Sequence, residues 1–310
     1  MVRVRREQWC LAVPKREAEQ TRRRLLEEGV LDRRLKPRPE GDAVLLPVTE
    51  EVAGAVRCGF ETIPERAELP RHELVGGIAI MQDDDPEAAR VLLASRPSLH
   101  TVLFPASPVE GEYRTRRFAV LAGTPTTRTR VTEYGFRFDV DLALAYFSAR
   151  LATERQRILE DMGEGERVLD MFAGVGPFAI TLAQKARVVF AADLNPAAVH
   201  LLVHNIALNR AANVIPMLAD AAHLARLGFE PFDRIIMNLP MAAPQFLEAA
   251  AGLCRGGGTI HLYALQEEEG EYLPLIRAVT SGEVTERVVR TYSPGKWHAV
   301  YDITVKKEGC

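Results

Sequence analysis

Short apolar runs alternate with longer amphipathic stretches through the second half of the chain. The runs 167–172, 187–193, 213–219, 233–239, 259–265, 284–292 and 297–306 read as strands, and 177–185, 196–209, 244–254 and 271–279 as helices. Continuous apolar segments such as Val188-Val189-Phe190-Ala191-Ala192 suit strands covered on both faces. This alternation predicts an α/β fold with a doubly wound, mostly parallel seven-stranded sheet. Only Ser293-Pro294-Gly295-Lys296 separates the last two strands, so they should form an antiparallel hairpin at one edge.

The first half has a different rhythm. A strand at 7–13, a helix at 14–29 ended by Gly29 and a strand at 44–48 predict a small α+β module over 1–66. Pro64 and Pro70 among charges mark 62–72 as a linker. A second α+β module, 67–140, has strands at 78–81, 101–104 and 118–122 and a helix at 86–94 begun by Pro86. From about 141 the third domain, 141–310, opens with Leu144, Phe147, Leu151 and Ile158 at helical spacing.

Composition narrows the class. With 310 residues, 47% hydrophobic and 26% charged, the chain is an ordinary globular protein with a net charge of -3. A wholly basic nucleic-acid coat is excluded. Charge is uneven, however: residues 1–40 carry 12 Lys and Arg against 7 Asp and Glu. Such a front end suits a polyanion, although a solvated helix face has the same composition. Cys10, Cys58, Cys254 and Cys310 form no C-x-x-C pair and read as scattered reduced thiols. No signal peptide and no apolar run of membrane-spanning length appears, so a cytoplasmic protein without a membrane partner is expected.

The chemistry gathers at the strand ends. The first sheet strand runs through Asp170 and Phe172 into Gly174-Val175-Gly176-Pro177. This is neither a dinucleotide fingerprint nor a P-loop. A carboxylate before the glycines would repel phosphate and suits a cationic ligand such as S-adenosylmethionine. Asp193 ends the second strand, where an acid can accept ribose hydroxyls, and Asp220 ends the third, where it can accept from an adenine amino group. Each alone would serve equally well as a helix cap. Three in succession describe one nucleoside pocket. Asn238-Leu239-Pro240 ends the fourth strand and could hold a planar base.

The runs Asp170–Phe178 and Asn238-Leu239-Pro240 resemble the archaeal and eukaryotic type of tRNA (guanine-37-N1)-methyltransferase. Tyr146-Phe147-Ser148-Ala149-Arg150-Leu151-Ala152-Thr153-Glu154-Arg155, Tyr292-Ser293-Pro294 and the leading Val13-Pro14-Lys15-Arg16-Glu17-Ala18-Glu19 are similar to further signatures of that family. Ala149 stands where the family usually has Pro. The resemblance implies a class I methyltransferase domain preceded by small tRNA-recognition modules, with S-adenosylmethionine as methyl donor, tRNA as partner, no metal and a monomeric chain. It implies a cofactor set of Tyr146, Arg150, Asp170, Phe172, Gly174, Val175, Gly176, Asp193, Leu194, Asp220, Ala221, Asn238 and Pro240.

Guanine N1 is protonated at neutral pH, so its methylation needs a general base, and negative charge then gathers on O6. The resemblance assigns the base to Glu154, the O6 donor to Arg114 and the guanine edge to Asn238. Arg155 and Pro240 complete the substrate side. Two other readings use the same fold: aminocarboxypropyl transfer or bifunctional methylation in the wybutosine pathway, and a non-catalytic tRNA-binding protein. Pro177 after Gly176 and the presence of Asn238 favour methyl transfer over aminocarboxypropyl transfer. The retained acids argue against a dead fold.

Overall fold

The computed structural model describes residues 5–62 and 69–307. The centre of the expected linker, 63–68, and Cys310 lie outside them. The chain divides into two compact units, Met1–Leu69 and Pro70–Cys310.

In the first unit, β1 (Arg5–Pro14), α1 (Ala18–Glu27), β2 (Arg38–Glu40), β3 (Ala43–Val48) and β4 (Val56–Glu61) build an antiparallel sheet of order β2-β3-β1-β4. The helix is shorter than expected because Pro14 still belongs to β1 and a turn follows it. Its bases are largely neutralised locally: Arg22 and Arg23 pair with Glu19, and Arg24 with Glu28. Cys10 and Cys58 are not free thiols. They sit on the adjacent strands β1 and β4, and a disulfide joins them with a Cα separation of 6.0 Å. Cross-strand proximity over 48 residues of sequence leaves no spacing motif to read. Cys254 is free and buried.

The second unit begins with β5 (His72–Val75), β6 (Ile78–Met81), α2 (Pro86–Ser95), β7 (Thr101–Pro105) and β8 (Phe118–Gly123). They form a sheet of order β5-β6-β7-β8, in which α2 makes the crossover between parallel β6 and β7. The hairpin β9 (Arg128–Glu133) and β10 (Phe136–Asp141) follows. The remaining elements are α3 (Ala152–Asp161), β11 (Arg167–Asp170), α4 (Pro177–Leu182), β12 (Val188–Asp193), α5 (Pro196–Asn209), β13 (Val214–Leu218), β14 (Phe232–Met237), α6 (Leu247–Leu253), β15 (Cys254–Gln266), α7 (Leu273–Val279), β16 (Val284–Ser293) and β17 (Lys296–Thr304). Their sheet has the order β13-β12-β11-β14-β15-β17-β16. The first five are parallel, and β17 runs antiparallel to both its neighbours. This is the expected class I methyltransferase sheet with its terminal hairpin.

Apolar runs are continuous because successive side chains go to opposite covered faces. Val168, Ile236, Tyr263 and Val300 pack in one core, while Leu169, Ile235, Leu262 and Tyr301 pack in the other. The first of these cores also takes in Val75, Ile78, Leu103, Val131 and Phe138, so the strands before residue 141 share it with the large sheet.

Residues 142–148 are not helical, despite their apolar spacing. The Asp141 carboxylate accepts from the Ala143 amide, and the Asn195 side chain donates to the Leu144 carbonyl at 2.7 Å. Side chains thus satisfy backbone groups that a helix would pair internally. A 3-10 turn at Ala149–Leu151 then leads into α3.

Asn205 on α5 is fully buried. Its Oδ1 accepts from the Asp139 amide at 2.8 Å, and its Nδ2 donates to the Asp139 and Val175 carbonyls, each at 3.0 Å. Asn209 repeats the pairing one turn on, with the amide and carbonyl of Arg137. Asn205→Ala leaves a buried amide and two carbonyls without this partner, at about 1–3 kcal/mol for each group that finds no other. Urea unfolding of the full chain should show a lower midpoint with little change in slope.

Candidate active site

The carboxyl ends of the parallel strands open into a groove with two contiguous parts. One, of about 370 Å³, is lined by Asp193, Leu194, Gly174, Phe172, Asn238 and Pro240 from the sheet side. Tyr146, Arg150, Arg155 and Arg114 line it from the other side. The second, of about 930 Å³, is lined by Asp220, Ala221, Met171 and Phe246. Arg114, Phe172, Leu194 and Leu239 border both.

The glycine loop is shaped by two left-handed residues. Gly174 has φ +55° and faces the groove, where only the Tyr146 carbonyl lies within 4 Å of the place a Cβ would take. Gly176 has φ +94° and faces inward. A Cβ there would stand 2.4 Å from Leu202 Cδ1, so this glycine serves the packing of α4 on α5 rather than the groove. Val175 is likewise buried, and its carbonyl meets Asn205.

The three acids differ in situation. The Asp193 carboxylate accepts from the Gly174 amide at 2.7 Å and the Asn195 amide at 2.9 Å, which fixes it at the groove while leaving lone pairs for a ligand. Burial pushes its pKa up. Asp170 lies beneath the loop, 1% exposed, and its Oδ2 has no partner among the described residues. Burial is the main reason that its pKa rises to about 7, and the nearby Asp193 charge adds to it while the Phe172 amide opposes. Asp220 is half-exposed and caps the following turn through the Ala222 amide.

On the opposite wall, Arg114 occupies a left-handed turn position (φ 53°) with its guanidinium 5.9 Å from the Tyr146 ring centroid. No carboxylate pairs with it among the described residues. Asn238 Oδ1 is also buried without a partner. Arg150 pairs with Glu73 at 2.9 Å rather than with Glu154 four residues on. Arg155 is 2% exposed, clamped by Glu133 at 2.6 Å and packed on Phe147 and Phe178.

A buried carboxylate with one unpartnered oxygen, a second carboxylate at the rim and a glycine floor suit a cationic nucleoside. Comparisons with known proteins give the family. Residues 129–285 match the TRM5/TYW2 methyltransferase domain, and residues 10–56 the tRNA methyltransferase 5 N-terminal domain. The chain is 39% identical to the tRNA (guanine(37)-N(1))-methyltransferase Trm5b of Pyrococcus abyssi, over 96% of this chain and 98% of that one. It belongs to the TRM5/TYW2 methyltransferase family.

Two solved structures extend the likeness of this methyltransferase. One is the complex of aTrm5 and tRNALeu, 30% identical, with a TM-score of 0.75 over 96% of this chain and 99% of that one. The other is TYW2 of Methanocaldococcus jannaschii in complex with AdoMet, 29% identical, with a TM-score of 0.57 over 75% of this chain and 98% of that one. No helix among the described residues of the methyltransferase is long and apolar enough to cross a membrane.

Glu154 stands apart from the groove-lining residues. Its carboxylate is held by the Arg157 guanidinium and by the Tyr263 hydroxyl, which donates at 3.1 Å. Arg157 also donates to Asp302 at 2.8 Å. Asp302 accepts from His261 Nδ1 at 2.6 Å, and His261 Nε2 meets Arg234 at 2.6 Å, so the imidazole proton sits on Nδ1. Glu154 was singled out in the sequence, but the relay that holds it was not, because its partners beyond Arg157 come from β14, β15 and β17. Arg290 and His298, which line the groove, were equally silent. Tyr292 was visible only as part of a signature.

Burial alone would raise the Asp302 carboxyl, but His261 and Arg157 outweigh it and hold the group at about 2. A carboxyl depressed in the folded state stabilises above its unfolded value near 3.8, and that stability is lost as pH falls through about 2. Asp302→Asn should therefore cost on the order of 2 kcal/mol at pH 7. Unfolding curves of mutant and wild type should converge between about pH 4 and pH 2.

Proposed function

We propose that the chain transfers a methyl group from S-adenosylmethionine to N1 of guanine 37 in tRNA. The observation that carries this reading is one continuous groove. It joins the acids at the ends of β12 and β13 to the unpaired Arg114 and Asn238 across the sheet, with Asp170 buried beneath the glycine loop. The names of the relatives and the AdoMet and tRNA complexes of the neighbours support both ligands. The match of residues 10–56 to the tRNA methyltransferase 5 N-terminal domain favours methyl transfer over aminocarboxypropyl transfer, as do Pro177 and Asn238. One chain supplies both halves of the groove, so a monomer suffices.

Asp193 accepts from the ribose hydroxyls and Asp220 from the adenine edge, on a floor made by Phe172, Gly174 and Leu194. S-adenosylmethionine, when bound, supplies an electrophilic methyl group on a sulfonium. Asn238, its Oδ1 still unsatisfied, takes the guanine edge, and Pro240 closes that side. Arg114 meets the charge that develops on O6. Glu154 removes the N1 proton. To do so its side chain leaves Arg157 and turns into the groove, which the neighbouring Arg155 already borders. The module over 1–66 grips tRNA away from the reacting base, and the strands of 67–140 carry Arg114.

The direct test incubates the protein with labelled S-adenosylmethionine and unmodified tRNA transcripts bearing G37 or A37, then maps the methyl group by nucleoside mass spectrometry. Methylation of N1 in the G37 transcript alone is expected; transfer elsewhere, or none, sinks the proposal.

Two further outcomes follow from the groove. A positive charge placed above Asp170 favours its carboxylate form, so binding releases a proton. S-adenosylmethionine affinity should rise with pH through about 7 and then level, and Asp170→Asn should flatten that dependence in calorimetry. Glu154→Gln keeps size but loses basicity. Single-turnover transfer should slow by about 10²–10⁴-fold while tRNA and cofactor binding hardly move. A near wild-type rate, with chemistry limiting, would assign the proton to another group.

A further inference from the structure

The groove has a second polar end that none of the roles above uses. On β16 and β17, Arg290 pairs in register with His298. Arg290 donates through Nε to His298 Nδ1 at 3.3 Å, and among the described residues no carboxylate meets its guanidinium. Several other arginines of this unit behave otherwise: Arg128, Arg130, Arg150, Arg155 and Arg234 each have an acid. Because His298 accepts at Nδ1, its ring proton sits on Nε2. Burial, with the charges of Arg290 and Arg114, pushes its pKa down to about 4, so the ring is neutral and does not repel the guanidinium.

The register of the hairpin shifts between Thr291 and Ser293, which leaves Tyr292 as an extra residue on β16. Such a bulge re-aims a side chain. Here it lays the Tyr292 ring on the His298 imidazole, 5.4 Å between centroids and 18° from parallel, with Tyr292 still 55% exposed. Arg290, Tyr292 and His298 all line the same cavity as Asn238 and Arg114. They lie on the far side of β14 and β15 from Asp193 and Gly174.

An exposed ring with a solid backing, beside a guanidinium that lacks an acid, has the two elements that single-stranded RNA needs: a platform for a base and a cation for a phosphate. We propose that Arg290, Tyr292 and His298 form a second nucleotide subsite, which holds an unpaired nucleotide adjoining the one that is methylated. Tyr292 stacks the base, Arg290 meets the phosphate, and His298 positions both. The inference rests on tRNA being the substrate.

The test uses the full chain and an unmodified G37 tRNA transcript, with binding measured over a salt series and cofactor affinity measured by calorimetry. Tyr292→Ala should weaken tRNA binding about tenfold or more, while Tyr292→Phe should stay near wild type. Arg290→Ala should weaken binding and lower the salt slope by about one. His298→Ala should act through Arg290, so the double variant should be less than additive. S-adenosylmethionine affinity should be unchanged throughout. Wild-type tRNA affinity and salt slope in both Tyr292→Ala and Arg290→Ala would overturn the subsite. So would a loss confined to cofactor affinity, which would place these residues in the donor pocket. If the wild type binds tRNA without methylating it, the proposed reaction fails while the binding comparison still decides the subsite.

Discussion

The side-chain amide of Asn205 ties together the parts that make the groove. It mimics a strand edge toward β10 and, with the same Nδ2, holds the carbonyl of Val175 in the glycine loop. Asn195 at the start of the same helix holds the Leu144 carbonyl, and Asn209 near its end holds Arg137. One helix thus carries three asparagines that fix the floor of the groove and the segment leading to its opposite wall. Amides do this well because each offers a donor and an acceptor at fixed spacing, as a peptide does. The arrangement pairs backbone groups of the non-helical stretch 142–145 that a helix would otherwise satisfy.

The groove carries both signs of charge. Asp193 and Asp220 line it at the ends of β12 and β13, and Arg114, Asn238 and Arg290 line it across from them. The buried relay from Glu154 through Arg157, Asp302 and His261 to Arg234 lies behind this surface. Here the Arg157 guanidinium and the Tyr263 hydroxyl together hold the Glu154 carboxylate.

The large sheet was legible in the sequence because its strands are apolar on both faces and its helices have clear starts at Pro177 and Pro196. Strands outside it were harder. β9 and β10 were assigned no element, although their alternation of polar and apolar residues is that of a half-buried strand, because Arg, Thr and Asp fill the exposed positions. β2 is only three residues long. The spacing of Leu144, Phe147 and Leu151 imitated a helix, since burial alone fixes which residues are apolar and not how the backbone is satisfied. In the site, the strand-end acids and Asn238 could be found from their place after apolar runs. The partners of Arg150 and Arg155 and the Tyr263 hydroxyl on Glu154 could not, because each is set by packing between elements distant in sequence.

The placement of β17 has a consequence for synthesis of the chain. β15 and β16 are consecutive strands, yet they do not pair; β17 lies between them and supplies the buried Ala299, Val300, Tyr301 and Ile303. As the polypeptide leaves the ribosome, β15 therefore presents an open, apolar edge until β17 emerges. An unpaired edge of this kind is a template for pairing with other nascent chains. The waiting time is set by translation of about forty residues, at roughly 5–20 residues per second. Completion of the sheet is thus a late step, and the hairpin that closes it also delivers Tyr292 and His298 to the groove.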